Sequence, residues 1–286
     1  MFKEIAVDPA AVATSYRDFS YIVEKFGISE GRLIAAFPGR WKALVHQAAS
    51  ERLKGTLELS KVQERLRRIG NSVLHSRGRP GDGCDQDWIQ AAIDEHHRLP
   101  FEAVITSIPL ENQGFVCAAD LDGEHSCLQS NRQWHVQRVA ASMAECCEPL
   151  LTSGRHIKLI DPHFDAGHPR FRNPFLALLD KRRAGAIVEI YRDDRQDADH
   201  IAERIGRALA RVERRGGTLR LFFRPRTQMH NRFVLNEFGG ISFQTGLDED
   251  FTGERPTDLV SVLEPLTWQA EWNTYADKDC AAQFDI

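Results

Sequence analysis

From residue 157 onward the hydrophobic period of the chain keeps changing. Short apolar runs at 157–160, 186–191, 219–223, 241–243 and 259–263 read as strands. Between the first three lie amphipathic stretches at 173–183 and 199–215, which read as helices. Strands alternating with helices pack as an α/β sandwich with a largely parallel or mixed sheet. A helix over 133–151 is expected before the first of these strands, and another over 268–281 closes the chain.

The upstream part reads differently. Residues 1–75 look mainly helical: Asp8-Pro9 marks a helix start with proline in its first position. Residues 16–26 are amphipathic and stop at Gly27. Leu33, Ile34, Phe37, Trp41, Leu44 and Val45 surround a Pro38-Gly39 interruption, and 61–69 forms a basic amphipathic helix. Residues 77–85 read as a loop, 88–97 as a helix and 101–105 as a short strand. A polar connector at 120–132 divides the 286 residues into a mainly helical domain, 1–125, and an α/β domain, 126–286.

Composition excludes several classes. With 42% apolar and 27% charged residues the chain is that of a soluble globular protein. No apolar run reaches the ~18 residues of a membrane span, and the first ten residues lack the apolar core of a secretory signal. Six scattered cysteines, Cys146 and Cys147 adjacent among them, fit reduced thiols and a cytoplasmic protein. Cys117, His125 and Cys127 lack the Cys-x2-Cys spacing of a zinc site. Asp94-Glu95-His96-His97 points its side chains in different directions and reads as a solvated helix end. No metal and no cofactor is expected.

Charge concentrates on one segment. Residues 181–232 hold 14 Lys and Arg against 7 Asp and Glu, whereas 233–286 hold 2 against 11. A basic block suits a phosphate-bearing ligand such as nucleic acid. Arg204, Arg207, Arg211, Arg214 and Arg215 recur at helical spacing and equally describe a solvated helix face. Arg192, Arg224 and Arg226, at strand ends, are better candidates, and His163 stands in an aromatic turn after the run at 157–160.

The basic block leads into residues 229–250, where polar side chains recur between apolar runs: His230, Asn231, Arg232, Glu237, Thr245 and Asp248. The spacing resembles the phospholipase D superfamily signature, His-x-Lys-x4-Asp-x6-Gly-Ser-x2-Asn. His230 matches the histidine, Arg232 stands for lysine and Glu237 for aspartate; Gln244, Thr245 and Asp248 stand for Gly, Ser and Asn. The same stretch resembles the phospholipase D-like C-terminal domain of MIT-domain proteins, through His230, Arg232, Gly240 and Gly246-Leu247-Asp248.

The first resemblance implies a metal-independent phosphodiesterase, a nuclease of the kind found in prokaryotic defence or mobile-element systems, possessing further protein partners. His230 would attack phosphorus and form a phosphohistidine. Glu237 would orient it, Arg232 and Asn231 would hold phosphate, and Thr245 would be a supporting donor. His163, Arg192, Arg224 and Asp248 would complete the substrate contacts. Because only one such motif is present, and His156-x-Lys158 lacks the following acid, the resemblance also implies a homodimer joining two motifs. The second resemblance implies the alternative: a module that binds phosphate-bearing ligands, nucleic acid or phosphoinositide, or protein partners, without turnover. A carboxylate-metal nuclease using Asp161 and Glu189 is disfavoured because Arg192 falls one place late for the required lysine.

Overall fold

The computed structural model describes residues 1–79, 87–122, 124–129, 131–210 and 212–286. The chain divides into two compact units, Phe2–Asn131 and Arg132–Ile286. The loop expected over 77–85 lies largely outside the described residues, as do Cys84 and Arg211.

The first unit is not mainly helical. Its order is β1 (Lys3–Val7), α1 (Tyr16–Val23), β2 (Arg32–Ala35), α2 (Trp41–Arg52), α3 (Leu57–Arg68), β3 (Leu74–His75), α4 (Trp88–Arg98), β4 (Ala103–Thr106) and β5 (Phe115–Cys117). The strands form one sheet in the order β3-β2-β1-β4-β5, every pair parallel. Parallel strands covered on both faces lose the polar half of the two-residue alternation and read as plain apolar runs. At four or five residues such runs are not separable from helix by period. Ile5, Val7, Ile34, Ala103 and Ile105 meet Phe19, Trp41, Val45 and Val62 from α1, α2 and α3 on one face. Ala6, Ala35 and Val104 meet Ala91 and Ala92 of α4 on the other. The expected helix at Asp8-Pro9 is a turn instead, and α1 starts later, where Ser15 accepts from the Asp18 amide.

Glu95 in α4 is not a solvated residue either. It is buried, and it accepts from Arg79 Nη1 at 2.8 Å and from Arg98 at 2.8 and 2.7 Å. Arg79 also donates to both oxygens of Glu4, at 3.0 and 2.7 Å, and lies over the Phe101 ring. Burial alone would raise the Glu95 pKa; hydrogen bonds and charge from the two arginines outweigh it and hold the carboxyl below the usual range.

The second unit is an α/β sandwich with a mixed sheet, as expected. It runs β6 (Gln133–Gln137), α5 (Ala140–Ser153), β7 (His156–Ile160), α6 (Pro169–Lys181), β8 (Ile187–Asp193), α7 (Ala198–Leu209) and β9 (Thr218–Arg224). Then follow β10 (Phe233–Asn236), β11 (Gly239–Phe243), β12 (Thr257–Val262), α8 (Pro265–Thr274) and β13 (Ala282–Asp285). The sheet order is β13-β9-β8-β7-β10-β11-β12-β6, with β7, β8 and β9 parallel and the remaining pairs antiparallel. Phe175 and Leu178 of α6 meet Leu159 and Ile190 on one face. Trp268, Trp272 and Tyr275 cover Ile160, Tyr191, Phe222 and Leu235 on the other.

A sequence expectation changes here. The segment 133–151 is a strand and then a helix, because β6 is an edge strand whose polar residues Gln133, His135 and Gln137 are not core-facing. His156 and Lys158 belong to a network beneath α8: His156 Nε2 lies 3.0 Å from Glu189, and Lys158 Nζ donates to the Trp272 and Tyr275 carbonyls. Burial lowers the Lys158 pKa, partly countered by Glu189.

Candidate functional site

Strand register decides which side chains share an edge. Because β7, β8 and β9 run parallel, Asp161, Asp193 and Arg224 stand at their carboxyl ends along one edge of the sheet. β10 is antiparallel to β7, with Phe233 opposite Ile160, so His230, Asn231 and Arg232 arrive at that same edge. β11 pairs Ser242 with Phe233 and returns Gln244 and Thr245 to it, and Asp258 opens β12 there. The carboxyl edge of a parallel sheet is where open α/β folds place ligands.

A concavity of about 360 Å³ lies at this edge, walled by His230, Asn231, Arg232, Ser242, Gln244 and Ser261. His230 and Asn231 are exposed. His230 Nε2 donates to the Thr227 carbonyl at 3.0 Å, which leaves Nδ1 as the free ring nitrogen in the neutral tautomer. Arg232 is half-buried and donates through Nη1 to the His230 carbonyl at 3.1 Å. Its buried Nε finds no acceptor among the described residues.

Behind the concavity is Asp161, buried to 2% exposure, which accepts from the His163 amide at 2.8 Å and the Leu247 amide at 2.9 Å. Burial pushes its pKa up, and neither the two amides nor the nearby Arg232 charge reverses that.

Glu237 is elsewhere. Asn236 pairs with Ile157, so Glu237 sits at the far end of β10, seven residues and roughly 20 Å of strand from His230. Its carboxylate accepts from the Arg155 and His156 amides at 2.7 and 3.2 Å. It closes the β10–β11 turn together with Asn236, whose Oδ1 accepts from the Phe238 and Gly239 amides. A side chain at Gly240 would collide with Leu235, its Cβ only 2.3 Å from the leucine methyl. Glu237 does not orient His230.

Other expected ligand contacts are committed within the protein. Asp248, 3% exposed, takes an ion pair from Arg138 at 2.9 Å and another from Arg170, whose Nε donates at 2.8 Å. Thr245 donates from its amide and hydroxyl to Asp258, each at 3.0 Å. Arg192 is not a rim residue: it is buried and donates to the Phe164 carbonyl at 2.7 Å and the Asp193 carbonyl at 3.0 Å. Arg224 is held by Asp277 at 2.6 and 3.0 Å, and that pairing raises its pKa. His163 remains exposed and accepts at Nδ1 from Arg195 at 2.6 Å. In the basic helix, Arg204 pairs with Asp165 and Arg207 with Glu203.

Sequence reasoning missed Arg138, Arg170 and Asp258 as supports of this edge. Asp258 carried a signal, an acid directly before an apolar run, whereas Arg170 meets an acid 78 residues away. Among the described residues, no three His, Cys, Asp or Glu side chains group as metal ligands do. No helix among them is long and apolar enough to cross a membrane.

Compared with known proteins, the chain matches no family model and no curated protein. Among solved structures it is similar to TrmBL2, an archaeal chromatin protein whose structure shows a novel mode of DNA binding. That likeness has a TM-score of 0.29 at 11% identity, covering 84% of this chain and 69% of the other, a level that carries no argument.

Proposed function

We propose that the 132–286 unit is a phospholipase D-like module that binds a phosphate-bearing ligand in the concavity of His230, Asn231 and Arg232 without cleaving it. One observation carries this reading: Arg232 lines the concavity with only its Nη1 hydrogen-bonded among the described residues, while the carboxylate expected to orient His230 is engaged at the other end of the strand. A guanidinium with spare donors is suited to phosphate oxygens. A histidine without an orienting acid lacks the partner that nucleophilic catalysis employs. Nucleic acid is the favoured source of the phosphate, given the basic block before the motif.

Fluorescence polarisation with a labelled single-stranded oligonucleotide, and separately with a phosphoinositide headgroup, tests the reading. At low salt, binding to at least one is expected to fall on the order of tenfold or more in Arg232→Glu. Unchanged binding by the folded variant would exclude this concavity. The parallel assay is cleavage of oligonucleotide and model phosphodiesters in chelator. Metal-free turnover lost in His230→Ala would overturn the binding reading in favour of a phosphohistidine enzyme. In that case sedimentation should also find a homodimer, because the mechanism draws on a second histidine.

A further inference from the structure

The first unit has a cleft of its own, independent of the reading above. In the order β3-β2-β1-β4-β5, the chain leaves β1 toward α1 on one face and enters β4 from α4 on the other. The connections therefore diverge between β1 and β4, which is the topological switch point of a doubly wound sheet. A cavity of about 560 Å³ opens beyond the carboxyl ends of these strands, within the size range of small-molecule sites.

At its floor, outside the lining itself, Asp8 at the end of β1 is buried and engaged: it accepts from the Ala10 amide at 2.8 Å and from the Ser107 amide at 3.0 Å, tying the two diverging loops together. The polar groups that line the cavity are of two kinds. Asp18 is engaged too, accepting from the Thr14 and Ser15 hydroxyls at 2.7 Å each while Ser15 caps α1. By contrast Arg52 uses one nitrogen, on the Ala10 carbonyl at 2.9 Å, and exposed Arg17 makes no hydrogen bond or ion pair among the described residues. Both line the cavity, and Tyr21, Ile22 and Ile108 supply an aromatic and aliphatic wall.

We infer that this cleft binds a nucleoside monophosphate, its phosphate on Arg17 and Arg52 and its base against the Tyr21, Ile22 and Ile108 wall. Two features select a monophosphate over a dinucleotide. No glycine occurs between Val7 and Tyr16, so the backbone lacks the close-approach turn that admits a pyrophosphate. The first turn of α1 already holds the Asp18 carboxylate, so a phosphate is repelled from the helix end and directed to the guanidinium pair. A flat base is the ligand part that an aromatic ring beside aliphatic side chains accepts.

The test is calorimetric titration of the full chain carrying Arg232→Glu, which disables the concavity of the second unit, with the four common ribonucleoside 5′-monophosphates. At least one is expected to bind one-to-one, at least tenfold more tightly than its parent nucleoside or inorganic phosphate. Arg17→Glu should weaken it at least tenfold, and Ala119→Trp, which fills the cleft from its exposed rim, should abolish it with the melting temperature unchanged. Failure of all four to bind in the millimolar range, or binding indifferent to both substitutions, would overturn the assignment. Because Arg232 is already removed, either failure leaves the reading of the second unit untouched.

Discussion

Glu95 and Asp161 are both almost completely buried, one in each unit, and they are treated oppositely. Glu95 receives guanidinium hydrogen bonds from Arg79 and Arg98, and its pKa falls despite burial. Asp161 receives two backbone amides, and its pKa rises because burial dominates. The first unit neutralises its buried acid by direct contact. The second keeps Arg232 close enough to be felt by Asp161 but does not hydrogen-bond it there; that side chain donates to the His230 carbonyl instead.

The largest test of that contrast removes the cation between two acids. Arg79 is completely buried and serves both Glu4 and Glu95, so Arg79→Ala leaves uncompensated charge inside. A loss of about 3–5 kcal/mol is expected by urea denaturation. A loss below about 1 kcal/mol would mean the acids are not held as described.

The pH dependence is next in size. A folded pKa below the unfolded value near ~4.3 means that Glu95 stabilises above that pH, and the contribution is lost as pH falls through the folded value. Asp161 has the reverse sign. Its folded pKa lies above ~3.9, so the folded protein binds the extra proton, and this contribution is present below ~3.9 and lost as pH rises through the folded value. Across the acid range, the advantage of wild type over Glu95→Gln should therefore grow with pH, and its advantage over Asp161→Asn should shrink. Denaturation curves with slopes of one sign for both would break the comparison.

The smallest effect sharpens it. Arg232→Gln should change stability by less than about 0.5 kcal/mol, yet move the Asp161 pKa further up, because the Arg232 charge now lowers it. Carboxyl-carbon titration by NMR reads this directly, and an unmoved Asp161 would separate the two side chains.

The fold of the second unit was legible because its strands and helices alternate with clear changes of period and its sheet combines parallel and antiparallel pairs. The first unit was not, since Lys3–Val7 and Arg32–Ala35 are buried on both faces and have no alternation to read. The candidate edge was half legible. Spacing located His230, Asn231 and Arg232, but spacing along a chain does not state direction. Glu237 keeps its interval from His230 and still lies beyond the far end of β10, since the intervening residues are extended. Asp248 and Thr245 looked like ligand contacts because their partners, Arg138, Arg170 and Asp258, come from elsewhere in the sequence.

The pairing of β6 with β12 carries a consequence for synthesis. His135 faces Leu259 across the ladder, 124 residues later in the chain. At typical translation rates of ~5–20 residues per second, β6 waits on the order of 6–25 s for β12, its one strand neighbour among the described residues, to be made. Throughout that interval an unpaired strand carrying Trp134 is available to the same segment on a neighbouring nascent chain. Gln133, His135 and Gln137 interrupt its apolar character and lessen the hazard of strand-to-strand aggregation. The polarity that hid this strand from sequence reading protects it while it waits.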